Sequence, residues 1–165
     1  VRRLMDLPQP LVLDADGINA LAGHMDEWER RRGRVTVLTP HEGEFLRVGG
    51  DLSQGRTAAA EDFARRSGAV VVLKGPGTVV AGPDGRCRVN TTGNCGMAKG
   101  GSGDVLSGVV LALLGLGMDA FDACCCAVWL HGRAGDLAAQ EKGQWGMTPT
   151  DLLERLPQAL REVTE

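Results

Sequence analysis

The sequence contains no tyrosine, and aromatic residues make up only 4% of its 165 residues. Proteins that bind single-stranded nucleic acid stack bases on aromatic side chains, so this shortage argues against that function. Basic residues are scattered, apart from one short run at Arg30–Arg32 with Arg34. We expect this run to be a solvated helix end, as short charge runs usually are. With a formal net charge of −3, the chain lacks the basic stripe typical of a nucleic-acid partner.

None of the five cysteines forms a CxxC pair, and three are consecutive at Cys124–Cys126 within an apolar helical run. Adjacent helical residues point in different directions, so these thiols suit neither a disulfide framework nor a tetrahedral zinc site. Small buried thiols are typical of a reducing compartment, and we expect a cytoplasmic protein. The longest apolar run, residues 105–118, is interrupted by glycine and is short for a membrane span.

Short apolar runs alternate with helical patterns over the first half of the chain. Strands are predicted at residues 11–13, 35–38 and 70–73, and helices begin near Asp16, near Glu42 and at Thr57. This alternation predicts a parallel sheet with helices on its faces. A hairpin is predicted at residues 78–81 and 87–89, followed by helices at 102–116, 120–139 and 149–163, the last capped by Thr148. The length fits one domain.

The stretch NTTGNCGMAKGGSGDVLSG, residues 90–108, places six glycines in nineteen positions and runs into an apolar helix. Glycine loses the most conformational entropy on ordering, so this density is costly unless close backbone approach or positive φ is required. Gly100-Gly101-Ser102-Gly103 brings bare amides to a helix N-terminus, where an anion is favoured. We therefore interpret five of the glycines as backbone cleared for phosphate and its reaction partner, namely Gly93, Gly96, Gly100, Gly101 and Gly103.

Asp104 lies in the first turn of the same predicted helix. A carboxylate at that position either caps the helix or serves as a base beside a phosphate in transfer, and the motif alone leaves both open. Polar residues also follow the predicted strands, where open parallel sheets bind ligands. They are Asp14 and Asp16, then residues 39–44, and then residues 74–78.

Residues 94–106, NCGMAKGGSGDVL, resemble the signature of the NAD(P)H-hydrate dehydratases, the YjeF C-terminal family of the ribokinase-like superfamily. The segments LDAD at 13–16, LTPH at 38–41, LKG at 73–75 and LHG at 130–132 support it in order. The resemblance implies a ribokinase-like three-layer α/β/α sandwich with a mostly parallel sheet, followed by C-terminal helices. Family members carry a preceding segment, so we expect residues 1–165 to be the C-terminal portion of one such domain, weakly active or inactive alone.

The resemblance also implies a repair reaction. The S-epimer of NADH hydrate or NADPH hydrate is dehydrated at the expense of ADP or ATP with Mg²⁺. Phosphorylating the ring hydroxyl turns a poor leaving group into a good one, which the ring nitrogen then expels as phosphate. The family further suggests a homo-oligomer, a tetramer, with no nucleic-acid or membrane partner.

By motif match, Asp104 would contact the hydrate and deprotonate its hydroxyl, and His41 would contact the hydrate as well. Glu44 would help to organise the magnesium ion. The nucleotide and its phosphates would be bound by Lys74, Gly75, Pro76, Gly77 and Thr78, together with Gly101, Ser102 and Gly103. Asp14 and Asp16 remain outside this set, because a helix cap explains Asp16 equally well.

Two other functions use the same residues. A ribokinase-like small-molecule kinase, of the hydroxymethylpyrimidine or hydroxyethylthiazole type, would employ the same base and amides but release a phosphorylated product. A non-catalytic nucleotide-binding fragment would bind ADP without turnover. The extended Asn-x-Gly-Met-Ala segment at residues 94–98 favours the dehydratase.

Overall fold

The structure, a computed structural model, describes residues 1–164 and is built on one five-stranded sheet in the order β1 to β5. The strands β1 (Leu11–Leu13), β2 (Thr36–Leu38) and β3 (Val70–Leu73) run parallel. A hairpin of β4 (Val79–Ala81) and β5 (Cys87–Val89) continues the sheet in antiparallel fashion. The predicted mixed sheet is therefore confirmed.

Helices cover both faces of this sheet. In chain order they are α1 (Ala15–Asn19), α2 (Met25–Glu29), α3 (Glu42–Arg47), α4 (Arg56–Ser67), α5 (Ser102–Gly115), α6 (Ala120–Gly146) and α7 (Pro149–Thr164), with 3-10 turns at Arg2–Asp6 and Cys95–Met97.

The core is divided by the sheet into two layers. Alternate residues of β3 point to opposite faces, as the pleat requires. Val71 and Leu73 pack with α1 to α4, whereas Val70 and Val72 pack with α5 and α6. Because helices cover both faces of the sheet, every residue of β3 is apolar. The two helical layers and the sheet between them form the three layers of the sandwich.

The C-terminal helices end later than the pattern predicts. α6 runs past residue 139 to Gly146, with a break at Gly143, whose φ of 72° is left-handed. α7 begins with the predicted cap: the Asp151 amide donates to Thr148 Oγ1, and the Thr148 amide donates to the Asp151 carboxylate. This reciprocal pair satisfies two amides that a helix N-terminus leaves unpaired.

The arginine run is not simply a solvated helix end. Arg31 is 2% exposed. Its guanidinium donates to the carbonyls of Leu7, Gln9 and Val35 and to the Thr36 hydroxyl. Burial lowers the pKa of Arg31, with the nearby charge of Arg34 adding to the effect. The prediction was wrong for this residue, because two of its backbone acceptors, Leu7 O and Gln9 O, lie more than twenty residues away in the chain.

One helix face is uncovered within residues 1–164. The outer side of α5 presents Gly108, Leu111, Ala112 and Gly115, all of them exposed. A helix that is apolar on every side is normally buried. No helix within residues 1–164 is long and apolar enough to cross a membrane.

Candidate functional site

A cavity of about 1090 Å³ opens beyond the carboxyl ends of β1 and β3. The first turn of α5 and the glycine-rich loop before it form its opposite wall. The structure brings together on its lining nearly all of the predicted site residues: His41, Lys74, Gly75, Pro76, Gly77, Thr78, Gly101, Ser102, Gly103 and Asp104. Glu44 lies behind this lining.

The N-terminus of α5 leaves amides without partners. Gly101 precedes the helix with a φ of 97°, a left-handed conformation that glycine adopts at little cost. The Ser102 amide donates to Lys99 O and the Val105 amide donates to Gly101 O, each at 3.2 Å. Between them, the amides of Gly103 and Asp104 have no acceptor among residues 1–164. Such amides, together with the helix dipole, favour an anion at this end of the cavity.

Asp104 does not cap its own helix. α5 has no side-chain cap, and within the described chain no donor is hydrogen-bonded to the Asp104 carboxylate. The side chain is exposed and lines the cavity. The carboxylate is therefore available to accept a proton from a bound group, one of the two roles that the motif left open.

His41 and Glu44 form a capping box at the start of α3. The His41 amide donates to Glu44 Oε2 at 2.8 Å, and the Glu44 amide donates to His41 Nδ1 at 3.2 Å. His41 Nε2 also lies 3.4 Å from Glu44 Oε1. The buried glutamate thus holds the histidine at the cavity wall while its own oxygens face His41.

These contacts bear on the predicted magnesium ion. Residues 1–164 contain no group of three His, Cys, Asp or Glu residues placed to hold a metal. Mg²⁺ keeps several waters and takes one or two carboxylates together with substrate phosphates. The donor set therefore fits an ion that arrives with a nucleotide and its waters, and does not form a protein cage. Glu44 or Asp104 would help to hold such an ion, which would neutralise phosphate charge.

Asp14 is a cavity residue that the sequence reasoning left out. Its Oδ1 lies 2.7 Å from Lys74 Nζ, and its Oδ2 accepts from Ser107 Oγ at 3.0 Å. It also accepts from the Ala15 amide, so that Asp14, and not Asp16, caps the helix that follows β1. Burial raises the pKa of the Asp14 carboxyl, but Lys74 outweighs it, helped by the Thr39 and Ser107 hydroxyls, and the pKa lies below its ordinary value.

Arg56 holds the loop after β3 through hydrogen bonds to its backbone. The sequence did not predict this contact. The Arg56 guanidinium donates to Leu73 O at 2.9 Å, to Gly77 O at 3.2 Å and to Pro76 O. Arg56 Nε lies 3.1 Å from the Glu42 carboxylate. Because the acceptors are backbone carbonyls, no sequence motif marks this contact. It fixes the backbone that was predicted to bind a nucleotide.

The glycine-rich loop is clamped by α6. Asp136 accepts from the Gly93 amide and from Asn94 Nδ2, each at 2.9 Å. At the other end, Lys99 Nζ donates to Trp145 O at 2.9 Å and to Met147 O at 2.5 Å. One helix therefore sets the position of both ends of the loop.

Gly96 was misinterpreted as backbone cleared for a ligand. A Cβ at this residue would lie 2.5 Å from Gln144 O and 2.8 Å from Met147 Sδ. Glycine is required there because the loop packs against the end of α6. Gly93 has a similar explanation, with a φ of 101° and with Gly132 Cα 3.4 Å from its Cβ position. Packing against α6 thus accounts for Gly96 and adds a constraint at Gly93, which also lines the cavity.

A family model, related sequences and solved structures all match this chain to the same family. A model of the family described as NAD(P)H-hydrate dehydratase matches residues 1–158. A bifunctional NAD(P)H-hydrate repair enzyme Nnr from Thermofilum pendens is 47% identical over 161 residues. An ADP-dependent (S)-NAD(P)H-hydrate dehydratase from Neisseria meningitidis is 42% identical over 140 residues. An ADP/ATP-dependent NAD(P)H-hydrate dehydratase from Bacillus subtilis, co-crystallised with ATP and Mg²⁺, superposes with a TM-score of 0.80 at 34% identity.

The matches cover most of this chain but only part of each relative. They include 95% of the chain against the Thermofilum protein, 82% against the Neisseria protein and 96% against the Bacillus structure. The chain spans 30%, 47% and 57% of those proteins, respectively. The ribokinase-like fold class expected from the sequence is confirmed by the matching backbones.

Proposed function

The chain belongs to the NAD(P)H-hydrate dehydratase family, and on that premise we propose that it dehydrates the S-epimer of NADH hydrate or NADPH hydrate with ADP or ATP as phosphoryl donor. One observation carries the proposal. The acceptor-free amides of Gly103 and Asp104 lie beside the unpaired Asp104 carboxylate in the cavity that also contains Lys74. Hydrogen-bond donors for a phosphoryl group, a proton acceptor and a cation are thereby concentrated in one place.

The chemistry follows from these groups. The ring hydroxyl oxygen attacks the terminal phosphorus of the nucleotide, and Asp104 takes the hydroxyl proton. The bond from that phosphorus to its bridging oxygen breaks, and AMP leaves when the donor is ADP, or ADP when the donor is ATP. The amides of α5 and the Lys74 ammonium stabilise the charge on the transferred phosphoryl oxygens. The C–O bond of the phosphate ester then breaks as the ring nitrogen donates its lone pair. Loss of a proton from the adjacent ring carbon restores the reduced nicotinamide.

The other predicted residues have supporting roles in this proposal. His41, fixed by its capping box with Glu44, contacts the hydrate from the opposite cavity wall. Residues 74–78 bind the nucleotide. Gly75 and Gly77 have no side chain, so the nucleotide can approach their backbone closely. Glu44 would help to hold a magnesium ion through water, since its oxygens already face His41.

A direct assay tests the function. The protein is given the S-epimer of NADH hydrate or NADPH hydrate with Mg²⁺, and with ADP, ATP or neither. Recovery of reduced-nicotinamide absorbance only when a nucleotide is present supports the dehydratase and identifies its donor. Accumulation of a stable phosphorylated alcohol would instead establish a kinase, and nucleotide binding without any turnover would establish a binding module.

We also propose that the chain forms a homo-oligomer in which a second copy covers the outer face of α5. The exposed residues Gly108, Leu111, Ala112 and Gly115 support this, because an apolar helix face is seldom left in water. Light scattering coupled to size exclusion tests the homo-oligomer. A monomer that retains full turnover at all concentrations would contradict it.

A further inference from the structure

Asp14, Lys74 and Ser107 form a linked set beneath the first turn of α5. The Asp14 carboxylate uses both oxygens, one toward Lys74 Nζ at 2.7 Å and the other toward Ser107 Oγ at 3.0 Å. The side chains of Asp14 and Lys74 are only 16% and 22% exposed. Three elements, β1, β3 and α5, thus meet at one carboxylate.

The Asp14–Lys74 pair lies directly against the proposed phosphoryl site. A Cβ added to Gly103 would be 3.3 Å from both Asp14 Oδ2 and Lys74 Nζ. The ammonium is therefore beside the turn that carries the two acceptor-free amides. Lysine is a flexible point charge on a four-carbon stem, so its place there depends on what holds it. Asp14 is in hydrogen-bond contact with it, whereas the Glu44 carboxylate is 4.0 Å away.

The backbone next to Asp14 gives an independent indication. Ala15 has a φ of 46°, the one left-handed non-glycine residue within 1–164. A side chain in this region costs about 1 kcal/mol or more. Such conformations cluster at functional sites, where the surrounding structure enforces them. Ala15 lines the cavity and donates its amide to Asp14, so the strained residue and the carboxylate belong to the same turn.

We propose that Asp14 is a positioning residue: its carboxylate holds the Lys74 ammonium against the first turn of α5, so that Lys74 acts on the phosphoryl group in transfer. Lys74 then contributes little to holding the nucleotide at rest. The inference rests on the proposed function, and it refines the assignment of Lys74 as a general nucleotide contact.

The kinetic consequences are specific. An interaction made mainly in the transition state lowers kcat when it is removed, whereas a uniform binding contact raises KM. Asp14→Asn should therefore lower kcat roughly 10- to 100-fold, the scale of a small misplacement of a reacting group. Lys74→Met should lower it by at least as much. KM for the nucleotide should change less than about threefold in either variant.

A double-mutant cycle separates positioning from independent effects. If Asp14 acts through Lys74, the combined variant should be no slower than Lys74→Met alone, because the carboxylate has nothing left to position. Asp26→Asn makes the same chemical change on an exposed carboxylate of α2 and is the control. Additive losses, or an unchanged kcat in Asp14→Asn, would overturn the proposal while leaving the dehydratase intact. An inactive wild-type protein would instead refute the function itself, and this inference with it.

A second measurement distinguishes loss of the Asp14–Lys74 contact from misfolding of a variant. Carbon-detected NMR titration of the Asp14 carboxyl in the wild type should give a pKa below the ordinary aspartate value. In Lys74→Met the pKa should rise, because the lysine charge that opposes the effect of burial is then gone. A titration that Lys74→Met leaves unchanged would show that the two side chains are not paired in solution, and would overturn the proposal whatever the kinetics.

Discussion

The ring of His131 donates from Nε2 to the carbonyl oxygen of Ser102 at 2.9 Å, which ties the middle of α6 to the first residue of α5. Because a carbonyl can only accept, this contact fixes the tautomer of the buried imidazole. Burial lowers the pKa of His131, and the positive charge of Lys74 adds to this, although the bond to Ser102 opposes it. The helix that clamps the glycine-rich loop therefore also holds the turn that ends it.

His131 should make stability depend on pH. A histidine whose pKa is lowered in the folded state binds fewer protons there than in the unfolded chain. Its contribution is therefore complete above the unfolded value of about 6.5 and is lost as pH falls below it. Urea unfolding between pH 8 and pH 5 should show a declining midpoint in the wild type. The decline should be shallower in His131→Gln, which retains a donor but does not titrate. Equal slopes in the two proteins would contradict this assignment.

Asp104→Asn should abolish most turnover while sparing nucleotide binding. An amide has no basicity comparable to a carboxylate, and loss of a general base typically costs roughly 10²- to 10⁴-fold in kcat. Calorimetric titration with ADP should give a dissociation constant within a factor of about three of wild type. Survival of turnover in the variant would show that another group takes the proton.

Arg56→Met should weaken nucleotide binding. The substitution removes the donors that hold the carbonyls of Leu73 and Gly77, so the loop must be ordered again when a ligand binds. We expect the dissociation constant for ADP to rise roughly tenfold, equivalent to about 1.4 kcal/mol. Arg65→Met, on an exposed position of the same helix, is the matched control. Equal affinity in both variants would mean that the loop is rigid without Arg56.

Asp136→Ala should loosen the glycine-rich loop. It leaves the Gly93 amide and the Asn94 side chain without their acceptor, and a hydrogen bond that water can partly replace contributes about 0.5 to 1.5 kcal/mol. Hydrogen exchange should become faster at residues 93–97, and turnover should fall. Asp122→Ala, an exposed carboxylate on α6, should change neither. Unchanged exchange in Asp136→Ala would show that Lys99 alone holds the loop.

Substitution by alanine should reduce the stability of the protein at one glycine of the loop and have little effect at another. Gly96→Ala would place a methyl group 2.5 Å from Gln144 O, and overpacking of this kind costs about 1 to 3 kcal/mol. At Gly100 no atom lies within 4 Å of the Cβ position, so Gly100→Ala should leave stability nearly unchanged. Thermal unfolding of the two variants makes the comparison. Equal melting temperatures would restore the interpretation of Gly96 as a ligand contact.

Much of the fold could be predicted because the signals are local. The run Val70–Leu73 was predicted as a strand with both ends correct, since four consecutive large apolar residues suit a buried parallel strand. The anion site was found for the same reason: glycine density and the start of an apolar helix are both visible in one short segment. The Thr148 cap was also correct, because its partner is three residues away.

The parts that were missed depend on distant partners. Asp14 was left out of the predicted site, and only the structure shows the lysine 60 residues later that it holds. Arg56 donates to backbone carbonyls, which every residue possesses, so composition gives no indication of the contact. Gly96 was misinterpreted because its need for space comes from α6, nearly fifty residues away in the chain. In each case the decisive neighbour was supplied by the tertiary fold.

The bond from Ser107 to Asp14 joins residues 93 positions apart, and this separation has a consequence for biosynthesis. Contacts of such range form late, because a long loop must close before they contribute. During translation Asp14 emerges before both of its partners, because Lys74 follows 60 residues later and Ser107 follows 93 residues later. The nascent chain thus carries an uncompensated carboxylate after β1 until Lys74 emerges, and the anion site is absent until α5 docks.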